Sequence, residues 1–424
     1  MLTRQDKDRQ TTIMASYLRE SFDHLTRDYV YKLKAGYPAL GIRYLHYYER
    51  DHTLLASNIT NARVHLLNIS TGNFRSFLNH SATVRKIRVF NGEIYTSSWD
   101  GSVRATNYHT LQEKMRLTER SMGRCPFFNI SPDGRYLYSF TYDSDVIPLG
   151  VANSVRKWDL RTGKLQMIVA ASTEQKSYRK SGSIIFYENR LYVSCNSGFF
   201  RIFDLNSGRL IKEMSTSADF RSMTAMFHHQ YLLASDWDGY IHFLNLKTNR
   251  FDHMVKCHNT DILCMRLHPR NPDIIFTSSS DGVIKVWKMP GFILLNTILV
   301  DSSDLWSMVF INDHLLTGNI DGEIRVYDIN DLSNIRYKGR IVLSDRSFVA
   351  QATGSRMFYT NDISAMEVYK EPDAVVSGKE SEYLLDQGNN LMALRELLGV
   401  EDTLNGLPSG KHHFMPLLAA SFKQ

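Results

Sequence analysis

Four cysteines in 424 residues (Cys125, Cys195, Cys257 and Cys264) are too few to staple a chain of this length. A disulfide-built secreted fold is therefore excluded, and a reducing cytoplasm or nucleus is the expected compartment. The opening residues, MLTRQDKDRQTT, are charged where a secretory leader would be apolar. No stretch approaches the roughly 18 apolar residues that a membrane-spanning helix needs, so no span is expected. Proline is sparse at 10 residues, and the 43% apolar content is too high for wholesale disorder. Catalytic signatures are also missing: there is no G-x-S-x-G, Walker loop, H-E-x-x-H or dinucleotide fingerprint. The expectation is a non-enzymatic protein with no cofactor, no metal and no small-molecule substrate. Nor does either charge dominate, since 50 Lys+Arg face 44 Asp+Glu for a net charge of +6, which allows an acidic partner without requiring one.

What the chain does have is repetition. The clearest copy is SSSDGVIKVWKM at residues 278–289. Related segments are TNARVHLLNI (60–69), SWDGSVRATNY (98–108), ANSVRKWDL (152–160), NSGFFRIFDL (196–205), DWDGYIHFLNL (236–246) and NIDGEIRVYDI (319–329), with a weaker NDISAMEVYK at 361–370. The position of Trp287 recurs at Leu67, Thr106, Trp158, Phe203, Leu244, Tyr327 and Tyr369, at intervals of 39 to 52 residues. Around each copy, short runs with period-two alternation predict half-buried strands. Asp281-Gly282 is a hairpin turn, because both central residues tolerate positive φ. A further turn five residues past the Trp287-type position, as at Thr71-Gly72 or Thr162-Gly163, opens a fourth run. Four antiparallel strands per repeat is the arithmetic of a propeller blade.

On these residues the chain resembles the WD-repeat β-propeller family over roughly 29–370. That resemblance implies blades locked by a His before the first strand, a Ser or Thr in the second, an Asp in the hairpin turn and a Trp in the third. His258, Ser279, Asp281 and Trp287 match in one blade; His80, Ser98 and Asp100 match in another, with Thr106 in place of the Trp. The expected fold is all-β, a closed ring with eight blades, seven being the alternative. In the eight-blade reading the last blade takes strands near 348–352, 356–360 and 365–369, with 28–35 supplying the fourth and closing the ring. The expected organisation is a polar, partly helical N-terminal arm (1–27), the propeller (28–370) and an acidic tail (371–424). A short helix near 389–398 carries an apolar stripe of Leu391, Leu394, Leu397 and Leu398. Residues 35–370 hold 39 Lys+Arg against 31 Asp+Glu, and the tail holds 4 against 8.

The family's loop-bearing face is built from the turns between second and third strands and the links between blades. The matching positions here are Trp99 and Trp237 before the turn aspartates, with Arg43, Arg85, Met223, Leu263 and Trp306 at strand starts. Trp and Arg dominate interface hot spots because each buries a large area while keeping a polar handle. An insertion at 141–153 and a long link at 171–183 are expected on the same face. His253, Cys257, His258, Cys264 and His268 form a metal-like set, but their spacing fits no zinc motif and a structural role is expected. The expected function is a protein-protein interaction scaffold. Two alternatives are a substrate-recognition subunit of a ubiquitin ligase complex, for which 1–27 is too short to hold an F-box, and a subunit that binds RNA or other nucleic acid through the basic ring.

Overall fold

Alternating apolar and polar residues between glycine-bearing turns fold each repeat into one antiparallel sheet. The computed structural model describes residues 41–59, 62–119, 122–142, 153–172, 182–195, 199–215, 218, 220–226, 230–300, 305–320, 322–343 and 348–352, together with Leu394, Leu397 and Leu398. Blade one comprises β1 (Ile42–Tyr48), β2 (Thr53–Asn58), β3 (Arg63–Asn68) and β4 (Phe74–Leu78). Blade two comprises β5 (Val84–Phe90), β6 (Glu93–Ser98), β7 (Val103–Asn107) and β8 (Glu113–Leu117). Blade three follows with β9 (Phe127–Ile130), β10 (Tyr136–Tyr142), β11 (Asn153–Asp159) and β12 (Leu165–Ser172). Blade four has β13 (Gly182–Tyr187), β14 (Arg190–Cys195), β15 (Phe199–Asp204) and β16 (Leu210–Ser215). Blade five has β17 (Phe220–Met226), β18 (Tyr231–Asp236), β19 (Tyr240–Asn245) and β20 (Arg250–Lys256). Blade six has β21 (Ile262–Leu267), β22 (Ile274–Ser279), β23 (Val283–Lys288) and β24 (Ile293–Leu299). Blade seven has five strands, β25 (Ser307–Ile311), β26 (His314–Gly318), β27 (Glu323–Asp328), β28 (Arg336–Leu343) and β29 (Phe348–Ala352).

The first strands of the blades lie side by side in the order β1, β5, β9, β13, β17, β21, β25 and back to β1, so the ring closes after seven blades, not eight. The Ile42 amide donates to Asn319 O (2.8 Å) and the Leu45 amide to Ser307 Oγ (3.0 Å) across the closing seam. Phe348–Ala352, expected to begin an eighth blade, pairs instead with β28 as a fifth strand on the outer edge of blade seven. A strand with unpaired edge groups is satisfied equally well by an existing sheet, which is why alternation could not tell the two arrangements apart. The expected strands at 28–35, 356–360 and 365–369, and the N-terminal arm 1–27, lie outside the described residues. So does the tail, except for Leu394, Leu397 and Leu398. These three are helical and fully buried against Ile42, Leu45 and Leu54 of blade one and Ile324, Ile341 and Leu343 of blade seven.

In blade one burial peaks in the second and third strands and is lowest on the outermost strand. Every residue of β2 and β22 is buried, whereas β16 and β20 on the rim are mostly exposed. Polar ties run through this interior. In blade six the Trp287 indole donates to Thr277 Oγ1 (3.0 Å), and that hydroxyl also bonds His258 Nε2 (2.7 Å). Thr277, not the expected Ser279, is therefore the meeting point; Ser279 bonds Thr260 instead (2.8 Å). Asp281 lies 3.9 Å from His258 Nδ1, beyond hydrogen-bond reach, and accepts the Val283 amide (3.0 Å). Burial pushes the His258 imidazole down to about 4, so it is neutral at pH 7.

Blade two makes the parallel correction. His80 Nε2 bonds Thr96 Oγ1 (2.8 Å), while Ser98 donates to Ala82 O (2.8 Å). His80 Nδ1–H donates to Asp100 (2.8 Å). Burial alone would raise the Asp100 carboxyl, but donors from His80, Ser102 and the Ser81 amide outweigh it and hold the group well below the usual range. Thr106, standing where a tryptophan was expected, accepts from Asn79 Nδ2 (2.8 Å).

A further regularity runs through the third strands. Each blade carries a basic residue at the same third-strand position: His65, Arg104, Arg156, Arg201, His242, Lys285 and Arg325. Several meet acids inside the blade, as in Arg104 with Asp100 and Glu113, Arg201 with Glu213, and His242 with Asp236. Arg104 and Arg201 are thus engaged inside their blades rather than displayed to solvent.

Candidate protein-binding face

Antiparallel register places the start of each first strand beside the end of the second. Ile42 pairs with Asn58, Val84 with Ser98, Phe220 with Asp236 and Ile262 with Ser279. Consequently the second-to-third-strand turns and the links that feed the first strands share one end of the ring. Links and turns of neighbouring blades are stitched together there. The Cys125 amide donates to Ser98 O (3.0 Å), and the Cys257 amide to Gly239 O (2.9 Å).

Four first strands carry a β-bulge at their second residue, so that the pairing register steps past Arg43, Arg85, Arg221 and Leu263. A bulge re-aims a side chain without breaking the sheet, and it is a common device beside binding sites. It also explains one misplaced candidate. Met223 sits two residues further along, in regular register opposite Ala234, and its side chain lies outside the described residues. The residue equivalent to Arg43 and Arg85 in blade five is Arg221. Trp306 takes the corresponding place one residue before β25.

The structure brings the candidates together in two groups. The Arg43 guanidinium stacks over Trp306 at 4.3 Å, joining blades one and seven. The Arg85 guanidinium stacks over Trp99 at 4.7 Å, and Arg124, which was not foreseen, stacks over the same ring at 4.8 Å. Arg124 lies in the link into blade three, outside both the strand starts and the hairpin turns. Trp306 shows that links contribute to this face too. Trp99 nevertheless remains 36% exposed. Trp237, in the turn between β18 and β19, is half-buried. Leu263 is buried, with 9% of its surface exposed, and offers a partner little area. The inner parts of the 141–153 insertion and of the 171–183 link lie outside the described residues.

The metal-like set is dispersed among separate structural tasks. His253 stacks on Phe243 (4.1 Å), His258 bonds Thr277, and His268 Nδ1 accepts the amides of Arg270 and Asn271. Cys257 and Cys264 are buried thiols, and burial pushes that of Cys257 up to about 12. Among the described residues no helix is long and apolar enough to cross a membrane.

Comparison with known proteins places the chain. Residues 249–288, which hold β20 to β23, match the family model "WD domain, G-beta repeat". The chain is similar to a protein described as "WD40 repeat-containing protein smu1" of Dictyostelium discoideum, at 24% identity over 155 residues, 35% of this chain and 29% of that protein. It is also similar to "WD repeat-containing protein 55 homolog" of the same organism, at 21% identity over 235 residues, 55% of this chain and 54% of that protein. These matches span about a third and about half of the two relatives. With seven blades of the same four-strand order, a matching repeat model and relatives of the same kind, the chain is a WD-repeat β-propeller protein.

Proposed function

We propose that the chain is a protein-interaction scaffold that captures a segment of a partner on the face built around Trp99. The supporting observation is the Arg85–Trp99–Arg124 stack: a large ring left partly exposed and held by two guanidinium groups at 4.7 and 4.8 Å. Each cation–π contact contributes about 0.5–1 kcal/mol at an exposed site and fixes the rotamers beforehand. Less side-chain entropy is then lost when a partner docks. The chemistry suits a segment that lays an apolar residue on the indole and presents carboxylates to the arginines. Arg43 stacked on Trp306 extends the same surface toward blade seven.

Affinity purification with the full chain tests this reading. The double variant Trp99→Ala plus Arg124→Ala should lose partners recovered by the unaltered chain, with a loss of about 2 kcal/mol or more in affinity, roughly 30-fold. Its unfolding midpoint should stay within a degree or two, because both side chains lie at the surface. Identical partner sets from both proteins would overturn the reading. Recovery of RNA that weakens steeply with salt would shift it to nucleic acid, since stacked Trp and Arg also suit single-stranded bases.

A further inference from the structure

Below that face, the seven first strands form the wall of the central channel. Together they carry six Lys+Arg (Arg43, Arg85, Lys86, Arg88, Arg221 and Arg266) and no Asp or Glu, in a chain whose overall balance is 50 to 44. Three of the six gather past the bulges. Lys86 and Arg88 lie two residues apart on the same side of β5, and Arg266 on β21 sits across the intervening blade from Tyr44 of β1, close enough for the guanidinium to interact electrostatically with the hydroxyl. The groups they contact are neutral. Arg88 Nη1 donates to Asn129 Oδ1 (2.8 Å) and Arg266 Nη1 to Met265 O (2.9 Å), while Lys86 Nζ lies 5.7 Å from the Phe128 ring. Among the described residues none of the three is paired with a carboxylate. His46 on β1 adds no charge at pH 7, since burial and the same three cations push its imidazole down to about 4.

Enclosed like charges without counter-charge are costly, because low dielectric magnifies their repulsion and desolvation is not repaid. Lys86 shows the strain: burial first, then Arg88 and Arg266, push its ammonium down to about 7. Three converging cations that share no acid are arranged for an anion supplied from outside. We propose that the central channel binds a small multivalent oxyanion of the phosphate class, held by Lys86, Arg88 and Arg266 with the Tyr44 hydroxyl beside them. Two guanidinium forks and an ammonium brought from different blades suit an oxyanion with several acceptor oxygens better than a single planar carboxylate. This binding is independent of whatever docks at Trp99.

Thermal unfolding and titration calorimetry of the full chain test it, with sodium pyrophosphate as the probe and sodium chloride at matched ionic strength as the control. The unaltered protein and Lys86→Arg should show a saturable rise in midpoint and one-to-one binding. Lys86→Met should unfold at a higher temperature in probe-free buffer, because one of three repelling charges is gone, and should bind pyrophosphate about tenfold or more weakly. A purely structural role for Lys86 predicts the opposite sign in probe-free buffer. Running O-phosphoserine beside pyrophosphate separates a phosphate ester from a free polyphosphate as the source. No binding of either probe beyond the chloride control, or equal binding by Lys86→Met, overturns the proposal. Should Lys86→Met fail to fold, Arg266→Met takes its place, and undiminished pyrophosphate binding by that variant overturns it too.

Discussion

Leu397→Asp is expected to cost more stability than any surface change in the molecule, lowering the unfolding midpoint by several degrees or more. Leu394, Leu397 and Leu398 are completely buried where blade seven meets blade one. That seam is where the two ends of the blade array come together, so its strength rests on side-chain packing and a few hydrogen bonds. Removing one such leucine side chain costs about 2–5 kcal/mol through lost transfer and the cavity left behind. An unpaired carboxylate at the same place adds a desolvation penalty. At roughly 2 °C per kcal/mol for a chain of this size, circular dichroism resolves the change readily. Leu397→Ala should give a smaller loss of the same sign, and removal of residues 379–424 a loss at least as large as Leu397→Ala. A midpoint unchanged in all three would show that the tail does not hold the seam.

Gly239→Ala comes next. Gly239 sits in the hairpin turn of blade five at φ +81°, and an added Cβ would stand 2.2 Å from His258 O and 2.6 Å from Thr260 O. Both contacts are backbone, so no flexible side chain can yield. The glycine carbonyl also accepts the amides of Cys257 and His258, which tie this turn to the link entering blade six. Pushing that link outward drags His258 from Thr277, the hydroxyl that Trp287 shares. The expected loss is about 3–5 kcal/mol, combining left-handed backbone strain with a steric clash. Gly92→Ala is the control: its φ is also positive, at +73°, but nothing lies within 4 Å of the added Cβ, so about 1 kcal/mol is expected. Chemical denaturation of the two variants side by side separates clash from backbone strain. Equal losses would show that the link can move aside.

The blade was legible in the sequence because its causes are local. Alternation fixed the strands, Asp-Gly pairs fixed the hairpins, and the recurring position of Trp158 and Trp287 fixed the period. What failed to show depended on long-range pairing or on register. Residues 348–352 alternate in the same way whether they found a new blade or edge an old one. In TSS at 277–279, Thr277 and Ser279 project to the same side of β22, so the run alone cannot say which hydroxyl the histidine meets. A single bulged residue moved the equivalence in blade five from Met223 to Arg221. Arg124 was missed because a link has no periodicity to read. The leucine stripe of the tail was visible, but its docking place is a seam that exists only once the ring has closed.

The central claim is that the end of the ring carrying Trp99 is where a partner binds. Hydrogen-deuterium exchange on the full chain, with and without a partner recovered by purification, tests it most directly. The account predicts slowed exchange at residues 83–85, 99–101 and 122–125 and little change on the outer strands β4, β8, β16 and β20. Protection confined to the opposite end, in the third-to-fourth-strand turns at 69–73, 108–112, 160–164, 205–209 and 246–249, would contradict it.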